Sequence, residues 1–529
     1  MLRLRSLLGI ATAGALVVAL SALILLPRAV STRAQPTASP APAAPQDATP
    51  PAADAQPAPD VPPSVALPLG SGPLHTDGGD IVDAGGRVVH ITGVNWFGME
   101  TSTFAPQGLW ARSLNDMLDQ MVQAGFNTIR LPYSDQLFDP ARTPNGIDFE
   151  KNSDLQGLTG QQIMDQVIQR AGERGLKVIL DRHRPTAAGQ TELWYTDHVS
   201  EQQWIDNWVM LANRYRDNPT VIGADLDNEP HGAATWGDGN PQTDWRAAAE
   251  RAGNAVLEAN PDWLIFVEGI EHQANDWYWW GGNLSLAGQL PVELSRPDKL
   301  VYEAHDYGPG VSNQSWFQAP DFPMNLASLW YSHWGYLKLS GTTPVLIGEF
   351  GGHSVGSDAE GVWQRSLVTY LQLNGFDYTY WCWNPNSGDT GGVLEDDWTT
   401  LNPAKIAVLQ AYQWPLLGSP EPAAAAQAIV AAYQPPTLAS APGAARTVPV
   451  QPPVPAAQTA PSLAIPSAPS ATFAIGGPFD PDPHHALSGA GGPTDPDPAH
   501  RQARQADEQR YLDLTGTPWD RAVYVTSSQ

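Results

Sequence analysis

Two stretches of the chain place glutamates where they could do chemistry. "VIGADLDNEP" (221–230) is an apolar run that ends in Asn228 and Glu229, and "PVLIGEFGG" (344–352) is another that ends in Glu349. One acid at the end of a strand could as well be half of a structural ion pair. Two acids brought to one place can cleave a glycosidic bond. That reaction passes through an oxocarbenium-like state and needs a carboxylic acid and a carboxylate together. Their surroundings must then push the two pKa values apart.

Other apolar runs end in residues suited to that task. "FNTIRLPY" carries Arg130, "LKVILDRHR" carries His183, "LVYEAHDYG" carries His305 and Tyr307, and "DYTYWCWNP" carries Trp381. Arg130 and the Tyr307 hydroxyl are suited to holding Glu349 ionised. Glu229 is then the acid, with its pKa raised by burial and by the second carboxylate. Strand alternation would put Asp227 on the same side as Glu229 and raise it further. Glu268 and Glu303 also lie near strand ends, and Glu268 reads as structural. Of the 20 tryptophans, Trp110, Trp280 and Trp381 are candidate sugar platforms, because the C–H face of a pyranose stacks on an indole. The strand ends lack metal-ligand spacing, so neither a metal nor any other cofactor is expected.

These residues are scattered in sequence, so the fold must gather them. "VVHITGVNWFG" and "LIFVEG" complete a set of eight β-branched apolar runs, with helical patterns between them. Leu114, Met117, Leu118, Met121 and Val122 follow the spacing of one helix face. Ile163, Met164, Val167 and Ile168 follow a capping-box signal at Thr159–Gln162. Trp204, Ile205, Trp208, Val209 and Ala212 follow another at Ser200–Gln203. Asn402 could open a last helix. Alternating strands and helices imply parallel βαβ units, and eight of them predict a closed (β/α)8 TIM barrel. No glycine-rich nucleotide fingerprint follows the first strand. In such a barrel the C-terminal strand ends share one mouth.

The order "NTIRLP … LDRHRP … DLDNEP … AHDY … IGEFGG … YWCWNPNSGDTGG" resembles glycoside hydrolase family 5, the cellulase family A endoglucanases. The likeness covers nearly all of 72–416. Through "GVNWFGMET", "LWYTD" and "WWGGNL" it is greatest to bacterial secreted endo-β-1,4-glucanases. The resemblance implies a retaining mechanism, with Glu229 as acid/base and Glu349 as nucleophile. It also implies that Arg130, His183, Asn228, His305, Tyr307 and Trp381 position a β-glucan, with Asn228 on the sugar 2-hydroxyl. A β-mannanase or a mixed-linkage glucanase would look alike on this scaffold. A catalytically silent carbohydrate-binding protein of the cell surface is the alternative from another class.

The rest of the chain reads differently. Arg3 and Arg5 precede an uncharged, largely apolar run at 7–26, as in an export signal. Residues 1–34 are read as that signal, cleaved on secretion, or else kept as a membrane anchor facing outside. Residues 35–71 and 417–475 are Pro/Ala-rich linkers expected to be disordered. Residues 476–529 form a low-complexity tail with a small repeat, "GGPFDPDPHH" and "GGPTDPDPAH". That extension does not resemble a carbohydrate-binding module. A net charge of −27 disfavours nucleic acid as a partner. No protein partner is implied. The lone Cys382 allows no internal disulfide.

Overall fold

The computed structural model describes residues 70–417. The expected signal, both linkers (save their edges at the domain) and the tail lie outside them. The eight apolar runs become eight barrel strands: β1 (Thr92–Asn95), β2 (Thr128–Ser134), β3 (Lys177–Arg184), β4 (Val221–Asp225), β5 (Leu264–Glu268), β6 (Leu300–His305), β7 (Val345–Glu349) and β8 (Asp377–Tyr380). All pair in parallel in chain order, and β8 closes on β1 through Tyr378–Thr92, Thr379–Gly93 and Tyr380–Val94. The expected barrel is the observed fold.

Six of the seven connections between strands contain α-helix: α1 (Leu114–Gln123), α2 (Gly160–Glu173), α3 (Glu201–Arg214), α4 (Trp245–Ala259), α5 (Leu326–Trp330) running through a π-turn into α6 (Tyr336–Leu339), and α7 (Ala359–Asn374), while α8 (Pro403–Gln410) follows β8. The caps explain where several begin. Thr159 and Gln162 form a reciprocal capping box at α2, Ser200 accepts from the Gln203 amide at α3, and Asn402 accepts from the Lys405 amide at α8. The β5–β6 connection departs from the pattern. It holds a small hairpin, His272–Gln273 with Asp276–Trp277, and a 3₁₀ turn at Pro297–Lys299. Its glycines and prolines interrupt any helical stripe.

Period-two alternation builds the interior in layers. On β3 the same-facing residues run Ile179, Asp181, His183. On β5 they run Leu264, Phe266, Glu268, and on β6 Val301, Glu303, His305. The lower residues Ile179, Leu264, Phe266, Val301 and Leu346 pack with Leu74, just before the short N-terminal strand His75–Asp77, and with Ile81 and Val89 from the next two, Asp80–Val82 and Val88–Val89. That small sheet is pinned by buried lysines: Lys299 Nζ donates to Leu74 O (2.6 Å) and Lys338 Nζ to Gly79 O (2.8 Å). The intervening residues, such as Val178, Leu180, Ile265 and Val267, face the helices. So an apolar floor lies beneath a layer of carboxyls, and histidines stand above it.

Tryptophans on the helices fix the upper rim. Trp204 and Trp208 both donate to Leu226 O, at 2.9 and 3.1 Å, and Trp245 donates to Glu268 O at 2.8 Å. These rings bury large apolar area while their N–H groups hold the strand ends. Phe266 sits fully buried in the floor. Phe266→Ala should cost about 3–5 kcal/mol of stability in urea denaturation, the range for a buried aromatic cavity. A change within error would contradict a packed floor.

Candidate active site

Arg130 enters from β2 with no exposed surface. Its guanidinium meets Asp181 (2.9 Å), Asp225 (2.6 Å), Glu268 (3.2 Å), Glu303 (3.1 Å) and Glu349 (2.7 Å). It also donates to Asn95 Oδ1 and Asn228 Oδ1, both at 3.0 Å. Carboxyls this crowded and dry cannot all be ionised. Burial pushes Asp181 up to about 7 and Glu268 to about 8, and holds Asp225 well above the carboxylate range. Their negative neighbours in turn hold Arg130 charged, although burial opposes it.

Glu349 closes β7. One of its oxygens accepts from Arg130 and the other from the Tyr307 hydroxyl at 2.6 Å. Gly348 leaves room beneath it: a Cβ there would lie 1.6 Å from Glu303 Oε1. Glu229 stands beyond the end of β4 with φ +55°, a conformation that residues with a Cβ seldom adopt. Four contacts hold it there. Its amide donates to Glu268 Oε2 (2.8 Å), and His231 Nδ1 donates to its carbonyl (2.6 Å). Its carboxylate accepts from His305 Nδ1 (2.9 Å) and from Gln190 Nε2 (2.7 Å). His305 Nδ1 is also 3.6 Å from Glu349 Oε2. An oxygen of Glu229 and one of Glu349 lie within 4.8 Å of each other.

The two histidines are opposite in charge state. Burial drives His183 down to about 3, so it is neutral, with Nδ1 2.7 Å from Asp181 Oδ2. Burial also works against charge on His305, but Glu268, Glu349 and Glu229 lift it well above its ordinary value.

The expectation for Glu229 is overturned in one respect. Burial does push its pKa up, but the hydrogen bond and charge of His305 outweigh it and hold the carboxyl below its ordinary value. Asp227 is no part of this. Its carboxylate pairs with Arg182, which also binds Asp135 at 2.6 Å. The strand ends at Asp225 and Glu229 turns left-handed, so alternation no longer relates 227 to 229.

Arg130, His183, Asn228, Glu229, His305, Tyr307 and Glu349 thus converge. Trp381 joins them by stacking on His183, with centroids 5.4 Å apart, and on Phe97. Trp280, partly exposed, stacks on His231 at 3.8 Å. Trp110, also partly exposed, packs edge-on against Trp398 and has no contact to the pair. Gln190 and His231 touch Glu229 but carry no sequence signal, since both sit in loops. Asp181, Asp225 and Glu303 were visible as charges inside apolar strands.

A family model for cellulase (glycosyl hydrolase family 5) matches residues 82–387. The chain belongs to that family. An endoglucanase of Paenibacillus polymyxa is 54% identical over 359 residues, 67% of this chain and 90% of its own length. The major extracellular endoglucanase of Xanthomonas campestris pv. campestris is 44% identical over 369 residues, 68% of this chain and 75% of its own. A solved endocellulase of Pyrococcus horikoshii, in complex with cellotetraose, is 44% identical with a TM-score of 0.61, covering 65% of this chain and 99% of its own. This family 5 chain is therefore a glycoside hydrolase.

The protonated carboxyls have a consequence for stability. A group whose pKa is raised by folding holds its proton in the native state and loses it in the unfolded one. Its contribution is complete below the unfolded pKa and is lost as pH rises through the folded value. Asp181, Asp227 and Asp306, each raised to about 7, all act in that sense. Thermal unfolding should therefore give a lower Tm at pH 9 than at pH 6. A Tm that climbs over that interval contradicts the buried-proton arrangement.

Proposed function

We propose that the protein is an exported retaining endo-β-1,4-glucanase that cuts internal bonds of cellulose or related β-glucans, with residues 72–416 as its catalytic domain. One observation carries the mechanism: oxygens of Glu229 and Glu349 lie within 4.8 Å. Retaining glycosidases hold their carboxyls about 5 Å apart, whereas inverting ones need roughly 6.5–9.5 Å to admit a water. Glu349 attacks the anomeric carbon while Glu229 gives its proton to the departing oxygen. A glycosyl ester forms on Glu349. Water then attacks that carbon from the side of Glu229, which takes the proton, and the Glu349–sugar bond breaks.

The surroundings suit these roles. Arg130 and Tyr307 aim the two Glu349 oxygens. His305 favours the Glu229 anion, which is the base of the second step. Sugar laid over Glu229 removes the water that solvates its charge and favours the neutral acid needed for the first step. Asn228 Oδ1 accepts from Arg130, and among the described residues its buried Nδ2 has no hydrogen-bond partner. That unpaired donor fits a sugar 2-hydroxyl, with Trp381 and Trp280 as ring platforms. Among the described residues no helix is long and apolar enough to cross a membrane. Export rests on the leader-like residues 1–34 and on the extracellular Xanthomonas relative.

The full chain should release reducing sugar from carboxymethylcellulose faster than from glucomannan or xylan. Glu349→Gln should lower that rate on the order of 10⁴-fold while leaving the fold intact. Preference for glucomannan would reassign the substrate to a mannan. No release from any of the three would turn the reading to a binding protein.

A further inference from the structure

Glu268, on β5, lies one strand from Glu229 and two strands from Glu349, yet it is tied to the surroundings of each. Its Oε1 meets Arg130 Nη2 at 3.2 Å and His305 Nε2 at 3.3 Å. Its Oε2 accepts the Glu229 amide at 2.8 Å. Its own carbonyl is clamped by Trp245. The space around it is tight: a Cβ at Gly281 would fall 1.9 Å from Glu268 Oε2 and 3.2 Å from Glu229 Cα. Gly281, at φ +65°, is thus a glycine for two reasons.

His305 is the hinge of the charge balance. Its Nδ1 faces Glu229 at 2.9 Å and Glu349 at 3.6 Å, and its Nε2 faces Glu268 and Glu303, the latter at 3.5 Å. In the first chemical step the negative charge leaves Glu349, which becomes an ester, and appears on Glu229, which has given up its proton. An imidazolium between the two compensates either state without moving. Glu268 and His305 face each other at 3.3 Å and titrate as a pair; both Glu268 oxygens already accept N–H donors, from Arg130 and from the Glu229 amide, so the proton the pair shares sits on the ring.

We propose that Glu268 is a positioning residue of the reaction, holding His305 as the cation shared by both catalytic glutamates and fixing the left-handed turn that presents Glu229. The inference rests on the proposed two-glutamate mechanism. The groups that bear on His305 come from every neighbouring strand: Arg130 from β2, Asp181 and neutral His183 from β3, Asp225 and Glu229 from β4 and its end, Glu268 from β5, Glu303 from β6 and Glu349 from β7. Asp181, Asp225 and Glu268 are raised by burial, and Arg130 draws on all of them. Glu268 is the one that reaches His305 and the Glu229 backbone together.

The test is a ¹⁵N-imidazole NMR titration of His305 in the full-length protein, assigned by the signal lost in His305→Gln. In the native protein His305 should carry the imidazolium signature at pH 6 and keep it through the range in which an ordinary histidine loses its proton. In Glu268→Gln, which retains an acceptor for the Glu229 amide, the midpoint should fall by about one unit. On carboxymethylcellulose the same variant should lose roughly tenfold in kcat with KM little changed. Equal midpoints in the two proteins, or an unaltered kcat, would overturn the proposal. If Glu268→Gln does not fold, the native titration still decides, since a neutral His305 at pH 6 overturns it. The titration needs no substrate, so it fails or succeeds independently of whether β-glucan is cleaved.

Discussion

One buried cation organises this barrel. The Arg130 guanidinium has no exposed surface and touches five carboxyls drawn from β3, β4, β5, β6 and β7. A charge so far from water is tolerable only with close counter-charges and satisfied N–H groups. The carboxyls are tolerable only around it, and several must keep a proton. The arrangement specifies where every neighbouring strand must end, because each acid has to reach the same few ångströms. Glu349 is one member of this ring, and its orientation follows from the ring.

Glu229 is held by a different device. It lies outside the regular strand in a strained backbone conformation, tied through its amide to Glu268, through its carbonyl to His231 and through its carboxylate to His305 and Gln190. Strain of this kind persists only where the surroundings over-determine it. Glu268 and His305 connect the two devices, so the acid/base candidate and the nucleophile candidate share one electrostatic frame. The stacked pair of His231 and Trp280 extends that frame towards the solvent-exposed surface.

Much of this was legible in the sequence, for identifiable reasons. The eight strands were plain because barrel strands are buried on both faces and read as continuous apolar runs. Thr159 and Asn402 marked helix starts through cap chemistry that is local in sequence. Glu229, Glu349, Arg130 and His305 stood out as charges at the ends of apolar runs. What failed was anything that depended on the exact backbone path. Asp227 was placed beside Glu229 by alternation, but the chain leaves the strand at Asp225. The lowered pKa of Glu229 depends on a histidine 76 positions away at 2.9 Å. Gln190 and His231 lie in loops whose course no periodicity specifies. The missing helix between β5 and β6 is the converse case, since its glycines and prolines were on view but the alternation of the neighbouring segments suggested otherwise.

Glu349 is the residue proposed to form the bond to sugar. Incubation with a 2-deoxy-2-fluoro-cellobioside bearing a good leaving group slows the second step, and intact mass followed by peptide mapping then locates the trapped sugar. One fluorocellobiosyl group is expected, attached at Glu349 in the peptide containing "LIGEFGG". A label on Glu229 or any other side chain, or a protein that turns over natural substrate with inversion at the anomeric carbon, would contradict it.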